Sequence, residues 1–204
     1  MNVPSLPLRL EGLRFKGDRD YLHGTDLLPA ALHALSGERP LSAIHDIDIT
    51  FHALARAGLT LQAEAPTGQE ARAQLGCTID GRRLKLFLVE DGRPITERRA
   101  YPEDRIVALT SIDAGSRAVT STASMPFTNI ERWIAMTKAL HHEVFPDAGG
   151  KWLFVRGKFD AYLDTQGDEV EHRVGIQSDF GGKLTRASLS VGGQGVGEIF
   201  FALA

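Results

Sequence analysis

Each half of this 204-residue chain reads as one helix followed by a long strand and three further antiparallel strands, and that recurrence constrains the fold more than any other feature. The clearer helix begins at Thr128, whose hydroxyl and Glu131 three positions on match a capping box. Ile130, Trp133, Ile134, Thr137, Leu140 and Val144 recur at spacings of three and four, the signature of one buried face. Pro146 should stop this helix, and Gly149-Gly150 supply the loop after it. In the first half Leu28, Ala31, Leu32 and Leu35 mark a shorter helix, capped by Thr25 or Asp26, with Pro29 in its first turn and Gly37 at its end.

Nearly everything else has strand period or strand composition. Ile47, Ile49, Phe51 and Ala53 alternate with Asp48, Thr50 and His52, and further strands are expected over 59–65, 71–79, 83–90, 106–112, 116–123, 151–163, 170–178, 183–191 and 195–203. Asp80-Gly81 and Asp91-Gly92 read as hairpin loops. The segments after the two helices, Ile47–Leu54 and Val155–Leu163, share Phe-x-Ala at the same offset, consistent with an internal duplication. At 43% hydrophobic and 24% charged residues the chain can bury a core. A single long helix followed by a bent antiparallel sheet buries itself most simply in the sheet's concave face. The expected class is α+β with two repeats, residues 1–104 and 105–204; a single α+β domain with one large sheet and no repeat is the alternative.

That order of elements resembles the hotdog fold, and two copies in one chain resemble the double hotdog of the thioesterase/dehydratase superfamily, in which tandem repeats replace a homodimer. The stretch Phe15-Lys16-Gly17-Asp18-Arg19-Asp20-Tyr21-Leu22-His23-Gly24-Thr25-Asp26, just before the first helix, carries the most chemistry. Asp18 and His23 form a candidate acid/base pair on a turn feeding a helix N-terminus, since a carboxylate that orients an imidazole makes it an effective general base. Gly24 would let a carbonyl approach backbone N–H groups that stabilise developing negative charge. Gly17, Asp18, Leu22 and His23 match in register the Gly-Asp-x-Asn-Pro-Ile/Leu-His motif of MaoC-like (R)-specific enoyl-CoA hydratases, which this stretch resembles. The resemblance implies that Asp18 and His23 activate water for addition to an enoyl thioester while Gly24 helps polarise its carbonyl. Asp20 and Tyr21 stand where that motif has Asn and Pro, which adds a charge and frees the backbone. Read without the resemblance, Asp18, Asp20 and Asp26 are solvated loop acids and caps, and His23 is a turn histidine.

Other hotdog enzymes place a carboxylate on or near the central helix, which implies a candidate role for Glu131, paired with His23 across the repeats; the capping box alone accounts for the same residue. Tyr21, Gly24 and Asn129 complete the candidate substrate-binding positions. His141-His142 cannot converge on one metal ion because adjacent helical residues diverge by about 100°; as cations they would favour a helix C-terminus. His45 falls in phase with Ile47 and Ile49 and reads as a core histidine, whereas His33, His52 and His172 have no evident partner. Gly192–Gly197 lies between strands and opens no helix, so it reads as a hairpin with a bulge rather than a phosphate loop. Cys77 has no neighbouring His and no Gly-x-Ser-x-Gly elbow is present.

The near-balanced charge, 23 basic against 26 acidic residues, lacks the footprint of a nucleic-acid or anionic-membrane binder. One cysteine fits a reducing compartment, and Met1–Pro7 does not match a secretory signal, so the expectation is a cytoplasmic protein. No metal or other cofactor is expected. The partner expected is an acyl-thioester substrate on coenzyme A or acyl carrier protein, with homo-oligomerisation open. The reactions in view are hydration or dehydration of that thioester, its hydrolysis using Asp18, Asp26 or Glu131 to activate water, or silent binding of an acyl chain or pathway partner.

Overall fold

The computed structural model describes residues 5–204; the first four residues of Met1–Pro7, the segment that does not match a secretory signal, lie outside the described residues. The chain divides into two units, the first built from Met1–Tyr101 with Phe159–Tyr162 and the second from Pro102–Lys158 with Leu163–Ala204.

In the first unit β1 (Leu8–Arg9) and β2 (Phe15–Lys16) precede helix α1 (Gly24–Ser36). β3 (Ile44–Phe51), β4 (Ala57–Gln62), β5 (Ala73–Ile79), β6 (Arg82–Pro94) and β7 (Arg98–Arg99) follow. The sheet runs β1-β4-β6-β5-β3, antiparallel throughout, and β2 pairs separately with β7 in parallel. Ala31, Leu32 and Leu35 of α1 are fully buried, as are Ile49, Leu59, Leu61, Leu75 and Leu88 of the sheet.

The second unit opens with α2 (Glu103–Val107), β8 (Ser111–Asp113) and β9 (Ala118–Ser121). The long helix α3 (Asn129–Val144) comes next, then β10 (Trp152–Ala161, whose residues from Phe159 on belong to the first unit), β11 (His172–Phe180), β12 (Leu184–Val191) and β13 (Gln194–Leu203). Its strands lie in the order β10-β13-β12-β11-β9-β8. The capping box forms as the sequence requires, with Thr128 and Glu131 bonding reciprocally. Every residue from Asn129 to Thr137 is buried, so the N-terminal half of α3 is enclosed on all sides rather than along one stripe.

Several local expectations are corrected. Residues 106–112 are not one strand: Ile106 and Val107 end α2, because Pro102 with Glu103 and Asp104 starts a helical turn there. Asp80 and Gly81, both at positive φ, do close the two-residue β5–β6 hairpin. Asp91-Gly92 instead sits inside β6, in a register irregularity opposite Gly58, where the Asp91 carboxylate accepts from the Arg93 N–H at 3.1 Å. Asp46 at φ 51° introduces a bulge in β3, and Arg83 donates to its carbonyl. The bulge reverses the side-chain phase, so Ile44 is buried and His45 is displaced from the core face. Gly192-Gly193 closes the β12–β13 hairpin, with a register shift at Ser190.

Candidate active site

The site assembles around the N-terminus of α1. His23 is the N-cap, with extended backbone and no capping side-chain bond, so the cap falls two residues before Thr25 and three before Asp26, the positions the sequence suggests. Pro29 therefore lies in the second turn, and lacking an N–H it cannot donate to the Thr25 carbonyl. Gly24, the first helical residue, contributes a backbone N–H with no intrahelical acceptor.

The His23 ring, 7% exposed, places Nδ1 2.8 Å from Thr25 Oγ1. Lys16 is completely buried, and its Nζ donates to Thr25 Oγ1 at 2.5 Å and lies 3.1 Å from Asp26 Oδ1. Arg99 Nη2 meets the same Asp26 oxygen at 2.5 Å, while Asp26 Oδ2 is buried with no hydrogen-bond partner. Tyr101 packs beneath this group, with the Lys16 ammonium 4.4 Å and the His23 ring 5.9 Å from its ring centre. The result is a continuous polar string, Asp26–Lys16–Thr25–His23. An ammonium only donates, so Lys16 occupies one Thr25 lone pair. The hydroxyl proton is then available to His23 Nδ1, or the second lone pair accepts from Nδ1–H. Each arrangement fixes one ring nitrogen and assigns the acid or base role to Nε2.

Lys16 and Arg99 reach the site because β2 and β7 pair in parallel, with Lys16 opposite Arg99. The sequence contained both residues but no local signal for a contact spanning more than eighty positions. Thr25 lies in the same stretch before the helix, where its residue type suggests only a cap.

The Asp18–His23 pair is not formed. Gly17 at φ 54° and an Arg19 N–H to Lys16 carbonyl bond of 3.2 Å make a tight turn that leaves Asp18 exposed at its tip, while Thr25 takes the place of the orienting group. Asp20 is exposed and lies 3.4 Å from Arg56. Tyr21 is half-buried, next to the Leu22–Ala55 bridge.

In the second unit Glu131 Oε2 accepts from the Thr128 N–H at 3.1 Å and from its hydroxyl at 3.0 Å, which is the capping geometry. Asn129, 1% exposed, holds the loop after β10: its Nδ2 donates to the Leu163 carbonyl, and its Oδ1 accepts from the Thr165 N–H and hydroxyl. His172, for which the sequence offered no partner, lies 3.1 Å from Thr165 Oγ1 and beside Trp133. Burial, with the nearby Arg132 charge, pushes its pKa down to about 4.

His141 and His142 diverge as the helical geometry demands, one buried and one exposed. His141 is not a dipole-stabilising cation: stacked 4.2 Å from Trp152 and packed on Phe145 and Phe201, it has its pKa lowered to about 4 by burial. The Cys77 thiol is likewise pushed up to about 11 by burial, which suppresses the thiolate. Among the described residues no three His, Cys, Asp or Glu side chains cluster as metal ligands, and no helix is long and apolar enough to cross a membrane.

No family model matches the sequence, and no curated protein matches it. Solved structures do. The tesB protein of Mycobacterium avium subspecies paratuberculosis aligns with TM-score 0.54 and 14% identity over 97% of this chain and 93% of that one. A hot dog-fold protein of unknown function from Alicyclobacillus acidocaldarius aligns with TM-score 0.51 and 9% identity over 91% and 88%. A monomeric dehydratase domain from a trans-AT polyketide synthase split module gives TM-score 0.50 and 11% identity over 90% of both. The chain has the hotdog fold, α+β, with one long helix and a run of antiparallel strands in each half.

Proposed function

We propose that the chain acts on an acyl thioester carried by coenzyme A or an acyl carrier protein, adding or removing water at the 2,3-bond, with His23 as the acid/base. The site belongs to the first repeat, residues 1–104 in this reading. The observation that carries it is the buried His23 ring at the N-terminus of α1, held by Thr25, which is held in turn by Lys16. A thioester carbonyl at the Gly24 N–H would have its developing negative charge stabilised by the helix end, and Nε2 would move the proton at the adjacent carbon. General acid/base catalysis of this kind contributes on the order of 10²–10⁴ in rate. A dehydratase domain is among the proteins that share the fold; the reading rests on the site.

A second reading, hydrolysis of the thioester, is favoured by one feature: Asp26 Oδ2 is buried and unpartnered and could hold the attacking water. Spectrophotometric assays on short and medium enoyl-CoAs and acyl-CoAs separate the two. Loss of enoyl absorbance without free thiol supports hydration, and thiol release supports hydrolysis. No turnover of any thioester, free or carrier-bound, by the folded protein overturns both. Cytoplasmic placement and self-association remain part of the same proposal.

A further inference from the structure

Arg132 is completely buried in the first turn of α3, and its guanidinium has a single hydrogen bond, from Nη2 to the Ala123 carbonyl at 3.1 Å. Nε and Nη1 are buried with no partner, and no carboxylate among the described residues forms an ion pair with it. On this side Asn129, Thr165 and His172 form a linked network of polar groups, none of them a carboxylate. Asn129 is oriented by its bond to the Leu163 carbonyl, so its Oδ1 takes the Thr165 hydroxyl proton. Thr165 can then only accept from His172, which places the imidazole proton on Nε2 and leaves Nδ1 a bare, buried, unpartnered acceptor. His172 stands opposite Ser121, the last residue of β9, and Arg132 donates to Ala123 two residues beyond it, so the same turn of chain meets both side chains.

A buried guanidinium with most of its donors unmatched is strongly destabilising unless an anion completes it. We propose that Arg132, with His172 alongside, forms a buried binding site for a small oxyanion in the second unit, distinct from the His23 site. Arg132 Nε and Nη1 donate to the anion, and His172 Nδ1 can accept from a hydroxyl or water that accompanies it. The full burial of Arg132 means that the anion enters by displacing a cover. In this proposal the cover is the loop between β10 and β11, held by Asn129 and, at its exposed residues, by Gly167 N–H to the Met125 carbonyl at 3.2 Å and Ser124 Oγ to the Gly167 carbonyl at 2.6 Å.

The test is thermal unfolding of the full chain in sodium formate, against a control of equal ionic strength made with a bulky organic anion. The site predicts a saturable rise in Tm, on the order of 3–6 °C at tenfold excess over Kd. Arg132→Met should lack the saturable component and, in anion-free buffer, fold at least as stably as wild type, because it removes an uncompensated charge. Should that variant fail to fold, a sodium bromide soak of wild-type crystals gives the second readout, with anomalous density expected at Arg132 Nε or Nη1. A wild-type melt that formate does not shift beyond the control, an equal shift in Arg132→Met, or no bromide at the guanidinium would overturn the assignment.

Discussion

Acidification should destabilise this protein through two histidines that take no part in the proposed chemistry. His141 and His172 are fully buried, and burial lowers each pKa from 6.5 to about 4. Because the folded value lies below the unfolded one, the unfolded chain binds more protons between those limits. The stability contributed by the neutral rings is complete above pH 6.5 and is lost as pH falls toward 4. For one histidine the two-site titration gives a loss of about 2 kcal/mol between pH 7 and pH 5, hence about 4 kcal/mol for the pair. That is a large part of an ordinary domain's 5–15 kcal/mol. Glu90 and Asp91, whose carboxyl pKa values are lowered mainly by hydrogen bonds and nearby arginines working against burial, lose their contribution only below their unfolded values near 4.5 and 3.8. The interval from pH 7 to pH 5 therefore lies above both carboxylate transitions. Urea unfolding across that interval should show the steep decline in wild type and about half of it in His141→Phe/Thr185→Val, which keeps the stack on Trp152 and removes the unpaired hydroxyl. An identical pH slope in the two proteins would refute the reasoning.

Two further outcomes follow from the cap and from the buried ion pair. Glu131→Ala should cost about 1 kcal/mol by urea unfolding, the usual worth of a lost capping interaction, with turnover little changed; a loss of turnover near 10²-fold in the folded variant would give Glu131 a place in the chemistry. Lys16→Met should cost about 2 kcal/mol in the same assay, since Asp26 keeps Arg99 but Thr25 loses its charged donor, and it should reduce turnover as well. Unchanged stability and turnover would remove Lys16 from the site.

What the sequence disclosed depended on the range of the interaction. The Thr128–Glu131 box and the Asp80-Gly81 turn are complete within four residues, so residue identity suffices to specify them. Asp91-Gly92 carries the same local chemistry as Asp80-Gly81, yet β6 continues through it because β4 supplies a partner on the far side. His45 was misplaced by a single positive-φ residue, Asp46, whose bulge exchanges the two faces of β3. In the candidate site His23 stood out by type and by its place before a helix. Its actual neighbours come from a parallel pairing of two-residue strands that leaves no periodic trace, and the turn at Gly17 moves the adjacent carboxylate of Asp18 to the surface. Arg132 was hidden for the opposite reason: a charged residue flanking an apolar helical face reads as solvated until the whole turn proves to be enclosed.

The measurement that most directly tests the central claim compares hydration of a 2-enoyl-CoA by wild type, His23→Ala and Asp18→Asn, with folding checked by circular dichroism. The polar string through Thr25 and Lys16 predicts a loss of roughly 10²-fold or more in kcat for His23→Ala and rates within a few-fold of wild type for Asp18→Asn. Equal, severe losses in both variants would contradict it and return the acid/base role to the Asp18–His23 pair, and full activity in His23→Ala would remove the histidine from the reaction.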